Sequence, residues 1–139
     1  MPGECDAMEV EIDEELYSRQ LYVMGREGQR RMAGSRVVII GINGLGSEVA
    51  KNVILAGVKA VTLVDPKPVT WFDLGANAYV RAEEVGRPRA EIALPRLQTL
   101  NAHVHVTSVS TIDDWQSLVT GKTVVVMCDA VSEEDMIAC

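Results

Sequence analysis

The segment Gly41-Ile-Asn-Gly-Leu-Gly46 joins the apolar, β-branched run Arg36-Val-Val-Ile-Ile40 to a stretch of helix formers from Ser47 to Ala56. A strand that turns through glycines into a helix is an anion cradle. The first helical amides have no partner within the helix, and the macrodipole adds positive potential there. Gly41, Asn43, Gly44 and Gly46 are therefore the candidate cofactor contacts. The dinucleotide pattern has glycine at position 43, where the backbone touches the pyrophosphate. Asn43 carries a side chain there, although asparagine tolerates the left-handed angles of such a turn. The second chemical group is Asp65, which follows the run Ala60-Val-Thr-Leu-Val64. A carboxylate at the end of the second strand accepts a ribose hydroxyl. This is the layout of a nucleotide-binding β-α-β unit. A Rossmann-like turn that packs helix on strand and binds nothing has the same spacing.

The other polar residues offer less. His103 and His105 alternate along a strand edge, but no third metal ligand stands near them in sequence, so they are expected at the surface. Cys5, Cys128 and Cys139 include no C-x-x-C pair, so no metal or redox site is expected. The cysteine usage suits a reduced, intracellular compartment. Cys128 closes an apolar run and reads as a buried small hydrophobe. Trp71 and Phe72 read as an apolar anchor beneath a proline-rich loop. Asp113, Asp114, Glu133, Glu134 and Asp135 read as charges at helix N-termini. No Ser-His-Asp or Cys-His set can be assembled.

The elements that must position these residues follow from patterning. The chain has 139 residues, 47% hydrophobic and 24% charged, about one ordinary globular domain. Its net charge is −7, and seven acids lie before residue 18, so the body from Arg19 onward is neutral. A neutral body with an acidic tail excludes a nucleic-acid partner, which needs a basic face. Residues 1–13 read as a solvated, disordered tail. No run of 18 apolar residues exists to span a membrane, and no basic residue precedes Arg19 to open a signal peptide. A first helix is expected from Glu14 to about Arg31, with a loose apolar stripe of Leu16, Gln20, Leu21, Met24 and Met32 and a split near Gly25 or Gly28. Strands are expected at Arg36–Gly41 and Ala60–Asp65, where continuous apolar runs suit a sheet covered on both faces, and also at His105–Ser110 and Thr123–Cys128. Helices are expected at Ser47–Ala56, ended by a left-handed cap at Gly57, at Arg89–Leu100 with a kink or break at Pro95, and at Ile112–Leu118. Ser132 and Asp135 resemble a capping box that opens another helix. The alternation predicts an α/β, Rossmann-like parallel sheet with helices on both faces. The last helix has no stop signal, so the chain is expected to be a fragment truncated at its C-terminus.

From Tyr17 onward the chain resembles the ubiquitin-activating enzymes and their relatives. The resemblance rests on Tyr17-Ser-Arg-Gln-Leu-Tyr22 with Gly25, Gly41-Ile-Asn-Gly-Leu-Gly46 and the segment from Lys51 to Asp65. It continues through Trp71-Phe-Asp-Leu74, Gly86-Arg-Pro-Arg-Ala-Glu91, Pro95-Arg-Leu97 and Leu100-Asn101. It implies an enzyme that uses ATP and Mg to adenylate the C-terminal carboxylate of ubiquitin or a ubiquitin-like protein, followed by thioester formation on a cysteine in a separate domain.

Within that family the chain resembles the inactive of two related adenylation halves, so residues 14–139 are expected to be the N-terminal part of an inactive adenylation domain. The active pattern has a second acid where Lys67 stands, a phosphate-binding arginine where Ala76 stands, and lysine where Arg89 stands. Its magnesium-binding acid is displaced or absent at Asp129-Ala-Val131. The resemblance implies that ATP is bound mainly by a partner active half, on the same chain or another subunit. Arg19, in the Tyr-x-Arg-Gln motif, is the one candidate catalytic residue, reaching into that partner's ATP site as arginine fingers do. The expected compartment is the cytoplasm or nucleus. A face meant for a partner would also let the chain self-associate. The alternatives are the NAD-binding domain of an oxidoreductase and the inactive subunit of a SUMO or NEDD8 activating enzyme.

Overall fold

The computed structural model describes residues 11–111, 114–129 and 137, without the side chain of residue 115. Its elements are α1 (Ser18–Gly34), β1 (Arg36–Ile40), α2 (Gly44–Ala56), β2 (Ala60–Val64), α3 (Arg89–Gln98), β3 (His105–Val109), α4 (Trp115–Val119) and β4 (Val124–Met127). Two 3-10 turns, Asp73–Gly75 and Ala82–Glu84, punctuate the long β2–α3 connection. The four strands form one parallel sheet in the order β3-β2-β1-β4. This is the Rossmann-like architecture that the alternating pattern predicts. Strand order reverses between β1 and β4, and open α/β sheets hold their ligands beyond the carboxyl ends of such a pair.

The central strands β1 and β2 are apolar almost throughout because both of their faces are covered. Val37, Ile39, Val61 and Leu63 pack with Ile54, Ala93 and Leu97 of α2 and α3. Val38, Ile40 and Val64 turn to the opposite face, towards Leu118 and Met127. β3, at the sheet edge, alternates instead as His105-Val-Thr-Ser-Val109 and is only partly buried. α2 begins three residues before the expected Ser47, because the Asn43 side chain caps it, accepting from the Gly46 amide at 2.9 Å. It ends as expected at Gly57, in the left-handed conformation at φ 83°. α3 runs through Pro95 to Gln98 without a break. Asp114 caps α4 as an N-terminal charge should. Asp113 and the Ser132–Asp135 capping box lie outside the described residues, as do residues 1–10 of the acidic tail.

Two expectations about side chains are corrected. α1 starts at Ser18 and is divided at Gly25, but its apolar stripe holds it to the body only in part, through Met32 against the core. Leu16 and Met24 are exposed, and the one buried residue of the helix is Gln29. Trp71 and Phe72 do not anchor the β2–α3 loop: they are 70% and 86% exposed. The loop has its own core of Val69 and Val80 against Ile92 of α3. Its polar turn is closed by Asp73, whose carboxylate accepts from the Thr70 amide and hydroxyl at 2.7 and 2.8 Å. With the loop held from within, the two aromatic rings are left outside.

The loop is also fastened to α3 by Arg96. Its guanidinium donates to both oxygens of Glu84, at 2.6 and 2.8 Å, and to the Tyr79 carbonyl at 2.6 Å. The Arg96 hydrogen bonds hold the Glu84 carboxyl below its ordinary value of 4.5. A carboxylate with a depressed pKa contributes stability that is complete above its unfolded pKa and lost as pH falls through the folded one. Wild type is therefore expected to be more stable than Glu84→Gln at neutral pH. The gap in urea midpoints should close as the pH is lowered below about 4.5. A gap that stays constant into strong acid would contradict this account of Glu84.

Candidate functional site

At the carboxyl ends of β1 and β4 lies an open cleft of about 420 Å³, lined by the Asn43–Leu45 turn, Lys67, Thr70, Phe72, Asp73, Ala76, Arg89 and Asp129. The glycine turn forms its floor. A Cβ on Gly46 would stand 1.8 Å from the Gly41 carbonyl oxygen, so this glycine is required for α2 to pack against β1, whatever the turn holds. A Cβ on Gly44 would stand 2.8 Å from the Ala76 Cβ, so the loop itself comes up close against this glycine. Asn43 is engaged at both ends: besides capping α2, its amide donates to the Cys128 carbonyl at 2.9 Å and ties the turn to the end of β4.

Asp65 is 2% exposed. Its Oδ2 accepts from the Ile42 amide at 2.8 Å and its Oδ1 from the Lys67 amide at 2.9 Å. The Ile42 carbonyl in turn accepts from the buried Asn77 side chain at 2.9 Å. Side chains of the β2–α3 connection thus hold the turn on two sides.

Arg89 stands in the middle of the charged groups. Its Nε lies 3.4 Å from Asp65 Oδ2, Nη1 3.4 Å from Asp73 Oδ1 and Nη2 3.8 Å from Asp129 Oδ2. Lys67 Nζ meets Asp129 Oδ2 at 2.9 Å. Arg89 is the first residue of α3, where a cation opposes the helix dipole. Three carboxylates outweigh that cost and draw the side chain down until only 10% of it is exposed. The guanidinium occupies the space between the aspartates, and among the described residues no group of three His, Cys, Asp or Glu side chains is arranged to hold a metal ion.

The structure therefore gathers Gly41, Asn43, Gly44, Gly46 and Asp65 around one turn. Arg19 stands apart. It is exposed on the first turns of α1, which docks at the C-terminal end of α2, while the cleft lies at the N-terminal end. The 13 residues of α2 separate the two, about 20 Å along a helix axis. That is beyond the reach of an arginine side chain. His103 is exposed, 3.6 Å from Asp13 and tilted against the Tyr17 ring, and His105 is exposed on β3. Cys128 is half-buried against the core, and burial pushes its thiol above the ordinary value, as expected of a small hydrophobe.

The ThiF family pattern matches residues 17–134, most of the chain. This chain belongs to the ThiF family. Human ubiquitin-like modifier-activating enzyme 1 is 46% identical over 130 residues, which are 92% of this chain and 12% of that protein. Mouse ubiquitin-like modifier-activating enzyme 7 is 44% identical over 125 residues, 90% of this chain and 13% of that protein. The ThiF-family domain described here is homologous to ubiquitin-like modifier-activating enzymes and spans about an eighth of their length. Among solved structures, the E. coli tRNA N6-threonylcarbamoyladenosine dehydratase in complex with ATP matches with a TM-score of 0.76 at 21% identity, covering 88% of this chain and 52% of that one. E. coli MccB matches with a TM-score of 0.72 at 21% identity, covering 88% and 39%. At such identities these likenesses are of fold.

Some residues of this ThiF-family cleft gave no sign in sequence of where they would sit. Arg89 reads as a substituted lysine, with nothing to say that three acids from β2, the loop and β4 would meet it. Asp73 and Asn77 read as loop residues, yet both are buried and hold the turn. The one local signal was Thr70 three residues before Asp73, the spacing at which an acidic side chain reaches back to an earlier amide, as in a capping box.

Proposed function

We propose that the chain is the N-terminal part of the non-catalytic adenylation half of an enzyme that activates ubiquitin or a ubiquitin-like protein in the cytoplasm or nucleus. In this reading a partner half, on the same chain or another subunit, binds ATP and Mg and adenylates the modifier's C-terminus. A cysteine elsewhere then takes the acyl group as a thioester.

The observation that carries the reading is the occupation of the cleft by its own charged side chains. Attack of a carboxylate on an α-phosphate needs cations free to meet the developing charge and acids free to hold the metal. Here Arg89 faces three aspartates and Lys67 is bound to Asp129. Ala76 stands against Gly44 where the resemblance has an arginine for phosphate. These residues do not fit a magnesium-bound triphosphate. Asp65, 2% exposed and faced by Arg89, offers little surface to the ribose hydroxyl it would accept in the oxidoreductase reading, which is equally disfavoured.

Arg19 supports the complementary half of the proposal. It is too far from this cleft to serve it, and among the described residues it makes no ion pair. Tyr22 and Val23, three and four residues on and so on the same helical face, are 93% and 81% exposed. An arginine delivered to another site has to sit in an interface, and two large apolar side chains beside it suit a surface that a partner half covers.

Calorimetric titration of the chain with ATP and Mg, and separately with NAD, tests the reading. The expected result is no saturable heat from either ligand at micromolar concentrations. Micromolar ATP binding accompanied by pyrophosphate exchange from the chain alone would overturn it, and micromolar NAD binding would favour the oxidoreductase.

A further inference from the structure

We infer that Tyr17, Gly25 and Asn101 are positioning residues that aim Arg19 at its target; the inference rests on the reading of Arg19 given above. It starts from the carbonyls at the C-terminal end of α2, which lie beyond the helix's own hydrogen-bond ladder; the Ile54 carbonyl already accepts from the cap amide of Gly57 at 3.1 Å. The Ile54 carbonyl accepts from Asn101 Nδ2 at 3.0 Å, and the same amide donates to Tyr17 Oη at 2.8 Å. Asn101 Oδ1 accepts from the His103 amide at 3.0 Å. The Tyr17 ring lies flush on Gly57, where a Cβ would come within 2.5 Å of it. The Ala56 carbonyl is approached by two glutamine amides from α1, Gln20 at 3.4 Å and Gln29 at 3.3 Å.

Those two glutamines could not both reach one oxygen from a straight helix. Nine residues are two and a half turns, which would place them on opposite faces roughly 13 Å apart along the axis. Gly25, between them, has φ 74° and ψ 173°, a conformation open essentially to glycine alone. Nothing lies within 4 Å of the position its Cβ would take, so packing does not require glycine there. What Gly25 supplies is an angle. It folds the first segment of α1 back so that Tyr17 and Gln20 grip the end of α2 while Gln29 grips it from the second segment. Arg19, Tyr22 and Val23 are then left on the outward side. Residues of the Tyr-x-Arg-Gln motif and the Leu100-Asn101 pair, separate in sequence, are parts of one clamp.

The test uses the enzyme assembled with its active half and measures ATP–pyrophosphate exchange for Gly25→Ala and Tyr17→Phe, each alone and combined with Arg19→Ala. A displaced arginine loses transition-state contact, so Gly25→Ala is expected to lower kcat about tenfold with little change in the KM for ATP, and Tyr17→Phe about threefold. Neither should lower kcat further once Arg19 is alanine. A clamp that serves stability alone would give equal fractional losses in both backgrounds, and that result overturns the inference. Full activity of both variants beside an impaired Arg19→Ala also overturns it, while leaving the role of Arg19 intact. If Arg19→Ala itself exchanges at the wild-type rate, the finger reading fails and the positioning role fails with it. Tyr17→Phe, which removes one hydroxyl, keeps the comparison open should Gly25→Ala not fold.

Discussion

Arg89→Ala should lower the unfolding free energy by about 3–5 kcal/mol, the loss typical when one member of a buried ion-pair cluster is removed and its partners are left uncompensated. Asp65 and Asp73 are nearly fully buried, and Asp129 is 22% exposed. Without the guanidinium they face one another, and among the described residues the cation left beside them is Lys67, half exposed and paired with Asp129. Since domains of this size are stable by roughly 5–15 kcal/mol, a loss of that size approaches the whole margin for the less stable among them. Urea denaturation followed by circular dichroism reads it directly. Arg89→Lys should recover only part of the loss, because an ammonium can replace the charge but cannot reach three carboxylates with separate donors of a rigid fork. A loss for Arg89→Ala of less than about 1 kcal/mol, the range of exposed ion pairs, would mean that water already screens the cluster. The proposal that the cleft is internally neutralised would then lose its support.

Arg19→Ala should act in the opposite way, on rate and not on stability. Its side chain is exposed and makes no ion pair among the described residues, so the unfolding midpoint of the chain should stay within error of wild type. In the enzyme assembled with its active half, ATP–pyrophosphate exchange is expected to fall by about 10²–10³, the typical effect of deleting one group that stabilises transition-state charge. Arg19→Lys should fall in between, since a point charge reaches the phosphate without bidentate geometry. An Arg19→Ala enzyme that exchanges at the wild-type rate would leave the chain as scaffold alone. The two substitutions together separate the two sites: one residue is the cation at the centre of a cleft of this chain, and the other lies exposed a helix length away from it.

Much of the frame was legible before any coordinate. The two central strands were readable because continuous β-branched runs have few other uses than a sheet covered on both faces. Gly57 was readable as a helix stop, and the gathering of Gly41, Asn43, Gly44, Gly46 and Asp65 followed from chain connectivity. In a β-α-β unit the turn after one strand and the residue after the next parallel strand are neighbours by construction of the sheet. Gln29 was not legible, since a lone glutamine between Gly28 and the arginines Arg30 and Arg31 reads as surface. Trp71 and Phe72 were misread for the converse reason. Their size argued for burial, while Val69, Val80 and the Asp73 turn had already closed the loop without them.

Local pattern by itself determined the element types, the parallel sheet and the glycine turn, because each depends on residues within a few positions of one another or on the two-faced burial of a strand. The motifs likewise carried the resemblance to the ubiquitin-activating enzymes without coordinates. Only the tertiary structure decided that Arg89 would sit among aspartates from three separate segments, that Asn101 would join Tyr17 to the end of α2, and that Arg19 would lie a helix length from its own cleft. Those contacts join residues up to 84 positions apart. Their charge balance is a property of distance in space, which no spacing along the chain encodes.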